Sequence, residues 1–493
     1  MAEKATLSHA VFSKISNDVK LPAYDRTQIR SGIFHFGVGG FHRAHQALIM
    51  DNLFSMGLAH DWGICGIGVL PQDKMMKDVM EQQECLYTLV EKETSGRLNY
   101  RVIGSIVEYL FAPDDVNVVV ERLAQPEARI ISLTITEGGY NINPATGEFD
   151  VDVVRDDINN LKQPKTVFGI ITEALRRRKD RGLKGFTIMS CDNLQENGCV
   201  ARRSFLAFAK AVDEDFAKWM EENVTFPNSM VDRITPVTTN DDRTTISDKL
   251  GASDLWPVVC EPFIQWVLED SFVAGRPPFE KSYVQLVPDV EPYEFMKLRL
   301  LNAGHQAIAY TGLLLDYEFV HDAMQDDLIV QYLQAYMDRE ATYTLKPLPG
   351  IDVTDYKAQI VLRFQNSYVR DTLARLAVDG SDRILKFVLP VIHDRIAKKA
   401  SIWMGTAIVA TFVFYANGFS DSGKSIQIVD RNVDKLKTMT DDFHAGELGI
   451  QNQQSLFGDL VYDSGFVDTF NEIYKKLQET GTRQTIEWLI QKN

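Results

Sequence analysis

The segment Glu294-Phe-Met-Lys297-Leu-Arg-Leu-Leu-Asn302-Ala-Gly-His305 sets a carboxylate, an amine, a carboxamide and an imidazole along one predicted helix, residues 294–310. At about 100° per residue, Lys297, Asn302 and His305 fall within an arc of roughly 140°. That arc is wide, yet all three can look into one cleft, with Leu301 and Ile308 filling the space between them. Asn193 closes the strand-like run GFTIMSCDN, at the carboxyl edge of the sheet this run would join. These four side chains suit alcohol oxidation by hydride transfer. A hydride can leave a secondary alcohol only if the hydroxyl proton leaves too. A lysine desolvated in a cleft can have its pKa lowered, and its neutral amine then accepts that proton. Carboxamide N–H groups can donate to the developing alkoxide, and a histidine can fix a neighbouring hydroxyl. Spacing alone leaves a second reading open, in which Lys297 and Asn302 are ordinary polar residues of an amphipathic helix.

A second constellation is Gly37-Val38-Gly39-Gly40-Phe41-His42-Arg43. It follows the first strand-like run and precedes the first long helical pattern, where a dinucleotide fold needs glycine. The first glycine permits a tight turn, and the second lets the backbone approach a pyrophosphate at a helix N-terminus. The third glycine of the fingerprint is replaced by His42. The acidic residue that grips an adenosine ribose is expected after the second strand, where Gln72 and Asp73 stand. Asp73 would accept from ribose hydroxyls and repel a 2′-phosphate, favouring NAD over NADP; the plainer reading leaves it in a polar loop after Pro71. His42 and His45 form an H-x-x-H pair, but no nearby carboxylate or cysteine completes a metal ligand set. They are expected at a helix N-terminus, with His42 and Arg43 near phosphates or loop carbonyls.

The elements that must position these residues change character along the chain. Runs 32–38, 62–69, 128–136 and 185–190 read as buried strands, 44–56 as a helix, and 91–110 as an antiparallel excursion. Strands alternating with helices predict βαβ units and a mainly parallel sheet. Prolines cluster at Pro277, Pro278, Pro288 and Pro292, which marks a connection. From Tyr293 the patterns turn helical, over 294–310, 328–338, 354–366, 400–416 and 466–479. The expected fold is α/β: a Rossmann-type, mainly parallel sheet domain over 1–288, followed by a mostly α-helical domain over 289–493. A chain of 493 residues is long enough for two or three domains.

Lys and Arg number 52 against 68 Asp and Glu, a formal net charge of -16. Such a surface repels phosphate backbones and anionic lipid, which disfavours nucleic-acid and membrane partners. Five cysteines (Cys65, Cys85, Cys191, Cys199, Cys260) without a C-x-x-C pair point to reduced thiols in a cytoplasm-like compartment. Residues 400–420 carry no charge and approach the length of a membrane span, but Gly405, Thr406, Thr411, Asn417 and Gly418 dilute the run. It reads as a buried core helix of a soluble protein.

The blocks FGVGGFHRAHQA, SLTITEGGY, MSCDNLQENG, VDRITP and CEPFIQWVLED, with the Lys297–Asn302–His305 segment, together resemble the polyol-specific long-chain dehydrogenase/reductase family. They run in the family's order from Gly37 to about Arg383. The resemblance implies NAD(P)-dependent, metal-free interconversion of mannitol and fructose by a chain that is often monomeric. It implies Lys297 as general base, Asn193 and Asn302 as oxyanion donors and His305 as the group orienting the substrate hydroxyl. Glu294 would pass protons to solvent, and Asp232, Arg375 and Arg383 would hold outer hydroxyls of the polyol. Residues Gly37 to Phe41, with Asp73 and Val231, would bind the cofactor. Two departures stand out. Arg383 replaces a frequent lysine, and Gln72 replaces an acidic residue of strictly NAD-using relatives. Related substrates remain open within the same chemistry: D-arabinitol, D-sorbitol or a hexuronate such as fructuronate, for which Arg375 and Arg383 would supply cations. From other classes, a non-catalytic dinucleotide sensor or a zinc alcohol dehydrogenase would lack a use for the full set or a ligand cluster for the metal.

Overall fold

Ser31–Phe36 forms strand β1, with all six residues buried. It is the middle strand of a five-stranded sheet of order β5-β2-β1-β6-β7, in which β2 is Gly63–Gly68, β5 Ile106–Phe111, β6 Ile130–Leu133 and β7 Thr187–Ser190. Every pairing in it is parallel. Successive strand residues point to opposite faces, and the two faces carry separate cores. Ile33, Ile64, Ile130 and Met189 enter one, while Phe34, Cys65, Ile131 and Ile188 enter the other. Both faces being covered is why these strands read as continuous apolar runs. The chain steps outward from β1 through β2 to β5, then returns to the far side of β1 with β6 and β7. The order therefore reverses between β1 and β6, and ligands of open α/β sheets bind outside the carboxyl ends at such a switch point.

An antiparallel excursion does follow β2, but it spans 87–103 where 91–110 was expected, because 106–110 belongs to β5 of the parallel sheet. Strands β3 (Tyr87–Lys92) and β4 (Leu98–Ile103) pair antiparallel, and β9 (Val258–Cys260) adds to β3 in parallel. A third sheet orders β11 (Val284–Val287), β10 (Gln265–Glu269) and β8 (Ser229–Asp232). The helix expected over 44–56 is two helices, α1 (Gly40–Ala44) and α2 (Gln46–Ser55), broken at His45 (φ -117, ψ -90). The ring of His45 is tied inward: its Nε2 meets the Gln265 carbonyl at 3.0 Å, and it stacks on Phe41. All five cysteines are free thiols; Cys199 is exposed and the other four are buried.

The computed structural model describes residues 4–142, 148–445 and 449–492. The chain divides into two compact units, Met1–Val290 and Glu291–Asn493. Among its described residues the second unit is helical, with only the isolated bridges Phe319–Thr372 and Phe419–Ser425. The uncharged run of the sequence becomes helix Trp403–Tyr415, nearly all buried, which packs against Ala303–Leu314 and Ser464–Gln491. The last of these continues past the expected Glu479, with a break at Gly481 (φ 75). Among the described residues no helix is long and apolar enough to cross a membrane.

The amino end of helix Trp403–Tyr415 is capped from a distance by Glu340, whose carboxylate accepts from Met404 N and Gly405 N at 2.8 Å each. Burial pushes this carboxyl from 4.5 up to about 7, against the pull of those two N–H groups. The folded chain therefore keeps a proton that the unfolded chain loses near 4.5. The resulting stabilisation is complete below that pH and lost as pH rises through about 7, an effect of about 3 kcal/mol. Thermal unfolding measured between pH 4.5 and 7 is expected to show this loss in the native chain and a shallower one in Glu340→Gln.

Candidate active site

In the first unit the candidate residues lie at the carboxyl ends of the strands. Gly37 leaves β1 with φ +90, and a Cβ there would sit 2.1 Å from the Thr134 carbonyl oxygen. Its own carbonyl accepts from Thr134 Oγ1 at 2.7 Å and from Gly39 N at 2.7 Å. The first bond ties the end of β1 to the end of β6 across the switch point. Only glycine fits at 37. Gly39 differs: with φ -94 its backbone suits any residue, and a Cβ would meet nothing closer than Gly37 O at 3.8 Å. A Cβ on Gly40 would make ordinary contact with Thr235 Cγ2 at 3.5 Å. No protein contact demands glycine at these two positions; they leave the turn open to close approach from outside. The first amides of α1 have no intrahelical acceptor, a setting that favours an anion.

The histidines of this turn face inward. His42 is 1% exposed and stacks on His35, ring centroids 3.4 Å apart at 11°. His35 Nδ1 lies 2.8 Å from Ser132 Oγ, and its Nε2 lies 3.1 Å from the Gly37 carbonyl. Burial pushes His35 down to about 3 and His42 well below its ordinary value, so both rings are neutral. Arg43 does reach loop carbonyls, those of Gly39 and Trp256, and it lies over the Tyr87 ring. The expectation for His42 is thus corrected: it packs beneath the turn, because the fold buries its ring against His35. Among the described residues no group of three or more His, Cys, Asp or Glu is placed to hold a metal ion.

Asp73 stands just beyond β2, in the short turn Pro71–Asp73. One of its oxygens, Oδ2, accepts from Val69 N and Leu70 N at 2.9 Å each, while Gln72 is exposed. Val231 and Asp232 end β8, paired with Trp266 and Gln265. Val231 lies in the same core cluster as Val38 and Met189, so its side chain shapes a wall. Asn193 is exposed, three residues beyond the end of β7.

In the second unit the helix expected over 294–310 is not regular. Helix Glu291–Met296 passes into a π-helical turn over Lys297–Asn302 before helix Ala303–Leu314 begins. Ala303 N donates to Leu298 O, five residues back. In this wider turn residues i and i+5 come one turn apart, so Lys297 and Asn302 share a face that a regular helix would have separated. Lys297 is 7% exposed, Asn302 8% and Glu294 5%. His305 stacks on Phe364, centroids 4.4 Å apart, and its buried Nε2 has no hydrogen-bond partner among the described residues. Burial, with Arg375, Arg363, Arg383 and Lys297 around it, holds this imidazole well below its ordinary pKa and therefore neutral.

Arg375 is gripped by the buried carboxylate of Asp371, Nε to Oδ1 at 2.6 Å and Nη2 to Oδ2 at 2.5 Å. Arg383 donates from Nη1 to the Leu376 carbonyl at 3.1 Å. It immediately precedes a second wide turn, Ile384–Val388, which packs against the Lys297–Asn302 turn. Sequence reasoning missed Arg363, Phe364 and Asp371. Arg363 and Phe364 end the helix predicted over 354–366, and nothing in its pattern marks them out from core and surface positions. Asp371, four residues before Arg375, carried a usable signal as an i, i+4 ion pair.

Comparison with known proteins decides the family. Residues 31–281 match the model of the mannitol dehydrogenase Rossmann domain, and residues 289–478 match that of the mannitol dehydrogenase C-terminal domain. The chain belongs to the mannitol dehydrogenase family. A mannitol 2-dehydrogenase of Phaeosphaeria nodorum is 40% identical over 482 residues, covering 96% of this chain and 84% of the relative. Among solved structures, the Pseudomonas fluorescens mannitol 2-dehydrogenase in ternary complex with NAD and D-mannitol superposes with TM-score 0.88 at 43% identity, over 99% of this chain and all of that one. A substrate-free D-sorbitol dehydrogenase gives TM-score 0.90 at 37% identity, over 98% of this chain and 100% of its own. Family membership accounts for the Rossmann-type sheet followed by a helical unit.

Proposed function

We propose that this chain interconverts D-mannitol and D-fructose by hydride transfer to and from NAD, with Lys297 as general base. The observation that carries the reading is the second unit's site: a buried amine and carboxamide on one wide turn, followed by an imidazole whose buried Nε2 has no hydrogen-bond partner among the described residues. A buried polar atom of that kind has hydrogen-bonding capacity to offer a water or a ligand, and a polyol hydroxyl suits it. The mannitol 2-dehydrogenase relatives and the solved complex with NAD and D-mannitol support the same substrate and cofactor.

The residues present fit a dinucleotide. Gly37 is required by the fold, whereas Gly39 and Gly40 leave open the backbone that a pyrophosphate must approach. Asp73, in the turn after β2, would accept from the adenosine ribose and disfavour a 2′-phosphate; Val231 and Val38 would wall the pocket. When bound, the nicotinamide supplies the hydride acceptor for C2 of the alcohol. Lys297 Nζ takes the proton from the C2 hydroxyl as that hydride leaves and returns it in the reverse direction. Asn193 and Asn302 donate carboxamide N–H groups to the oxygen as its charge develops. His305 stays neutral, buried beside Arg375, Arg363 and Arg383, and uses Nε2 to fix the hydroxyl's direction. Glu294, one turn before Lys297, relays the proton toward solvent. Asp232, Arg375 and Arg383 hold the outer hydroxyls, with Asp371 fixing the guanidinium of Arg375. The free thiols and the family resemblance fit a cytoplasmic monomer.

The likeness to D-sorbitol dehydrogenase makes D-sorbitol the second reading for the substrate. An initial-rate screen of D-mannitol, D-sorbitol, D-arabinitol, D-fructose and fructuronate with both nicotinamide cofactors tests the assignment. The highest kcat/KM is expected for D-mannitol and D-fructose with NAD(H); turnover confined to D-sorbitol or fructuronate would refute the mannitol reading. The glycine turn is tested by a pair of variants. Gly37→Ala is expected to destabilise the fold by several kcal/mol, roughly 2–4, through positive φ and steric overlap. Gly39→Ala is expected to melt like the native chain while binding NADH about tenfold more weakly, because the added methyl group displaces the pyrophosphate. Unchanged NADH affinity in Gly39→Ala would remove this turn from the cofactor site.

A further inference from the structure

The backbone beneath Asn193 is held far more firmly than a surface turn requires. Asn193 is the apex of a three-residue turn closed by Leu194 N donating to the Asp192 carbonyl at 2.9 Å. The same carbonyl accepts from Asn197 Nδ2 at 3.0 Å. Asn197 in turn is locked onto β8, with Nδ2 donating to Ser229 O at 2.7 Å and Oδ1 accepting from Ser229 N at 2.9 Å. The side chain of Asp192 is itself turned inward. Its Oδ1 accepts from Thr136 N at 2.8 Å, and its Oδ2 accepts from Ile135 N at 3.1 Å and from the Tyr140 hydroxyl at 2.7 Å. The Tyr140 hydroxyl also lies 2.6 Å from Ser190 Oγ, at the last residue of β7.

Two consecutive amides converging on one carboxylate leave a mark on the chain. Thr136 adopts φ 65, ψ 168, a region that β-branched residues avoid. Strain of this kind persists only where surrounding bonds over-determine it, and it gathers at functional sites. Here the over-determining group is Asp192. Burying a carboxylate to brace a turn is costly unless every donor is in place, and the residue so braced is the one next in sequence, Asn193. The loops after β6 and β7 are thereby tied together at the carboxyl edge of the sheet.

We propose that Asp192, braced by Tyr140, is a positioning residue that fixes the turn on which Asn193 presents its carboxamide to the reacting oxygen. The proposal rests on the oxyanion role assigned to Asn193 above. Oxyanion geometry is unforgiving of displacement, so loosening the brace should act on turnover through Asn193 and leave little other trace.

The test is a double-mutant cycle on the full chain, measuring kcat and KM for D-mannitol at saturating NAD. Asn193→Ala is expected to lower kcat about 100-fold, as loss of an oxyanion donor does. Tyr140→Phe, which removes one hydroxyl without changing volume, is expected to lower kcat about tenfold with KM changed less than about threefold. In the Asn193→Ala background the same Tyr140→Phe change is expected to cost less than about twofold, because there is nothing left to position. A merely structural cross-link would cost the same factor in both backgrounds, and that result overturns the proposal. So does wild-type turnover in Tyr140→Phe. Asp192→Asn is the harsher variant; if it does not fold, Tyr140→Phe carries the test. Loss of turnover in Asn193→Ala with native turnover in Tyr140→Phe defeats the positioning role alone. Native turnover in Asn193→Ala defeats the oxyanion role and the positioning role with it.

Discussion

The chemistry proposed for the second unit depends on one backbone feature, the extra residue accommodated in the turn from Lys297 to Asn302. Because Ala303 N reaches back five residues to Leu298 O, the amine and the carboxamide stand one turn apart on the same face. In a regular helix they would diverge by roughly 140°, and both heads would reach one small substrate carbon only by leaning inward from the two edges of that arc. Wide turns are rare, occur mostly as single turns inside α-helices and are frequent at functional sites. A second wide turn, Ile384–Val388, follows Arg383 and packs against the first. The irregularity that aims Lys297 and Asn302 is therefore supported by another irregularity beside a proposed substrate residue.

The first unit depends on a different constraint, the reversal of strand order at β1. Such a reversal is where open α/β sheets bind ligands, and the bond from Thr134 Oγ1 to the Gly37 carbonyl ties the two strand ends together there. The inward-facing pair His35 and His42, kept neutral by burial, supports the turn from below. A charged pair stacked at 3.4 Å would repel, so neutrality is a condition of this packing. The result is a division among the glycines. One is demanded by the fold, and the next two have room that no protein contact requires.

Much of this was legible in the sequence. The parallel strands were readable because burial on both faces makes them continuous apolar runs, and the passage to helix near residue 290 was readable from proline clustering and a change of period. The glycine turn stands out in the sequence because a tight turn after a strand needs glycine, and Lys297, Asn302 and His305 stand out because their residue types suit the one chemistry proposed for them. The wide turn does not, since a 3.6-residue period assumes the regularity that this segment breaks. The break at His45 was missed for a related reason: it comes from a ring anchored on the Gln265 carbonyl, 220 residues away in sequence. Asp192 drew no notice because its partners, Ile135, Thr136 and Tyr140, lie on another loop. Long-range hydrogen bonds of that kind have no local signature.

The central claim is that the amine of Lys297 accepts the alcohol's proton. The most direct measurement is turnover of D-mannitol by Lys297→Ala with small primary amines of graded basicity, alongside NADH binding by the same variant. Turnover is expected to fall by about a thousandfold or more without amine, with NADH binding retained. It is then expected to recover in proportion to the free-base amine, more strongly for the more basic amines. Native turnover without any amine, or a loss that no amine of suitable size relieves while NADH still binds, would contradict the assignment.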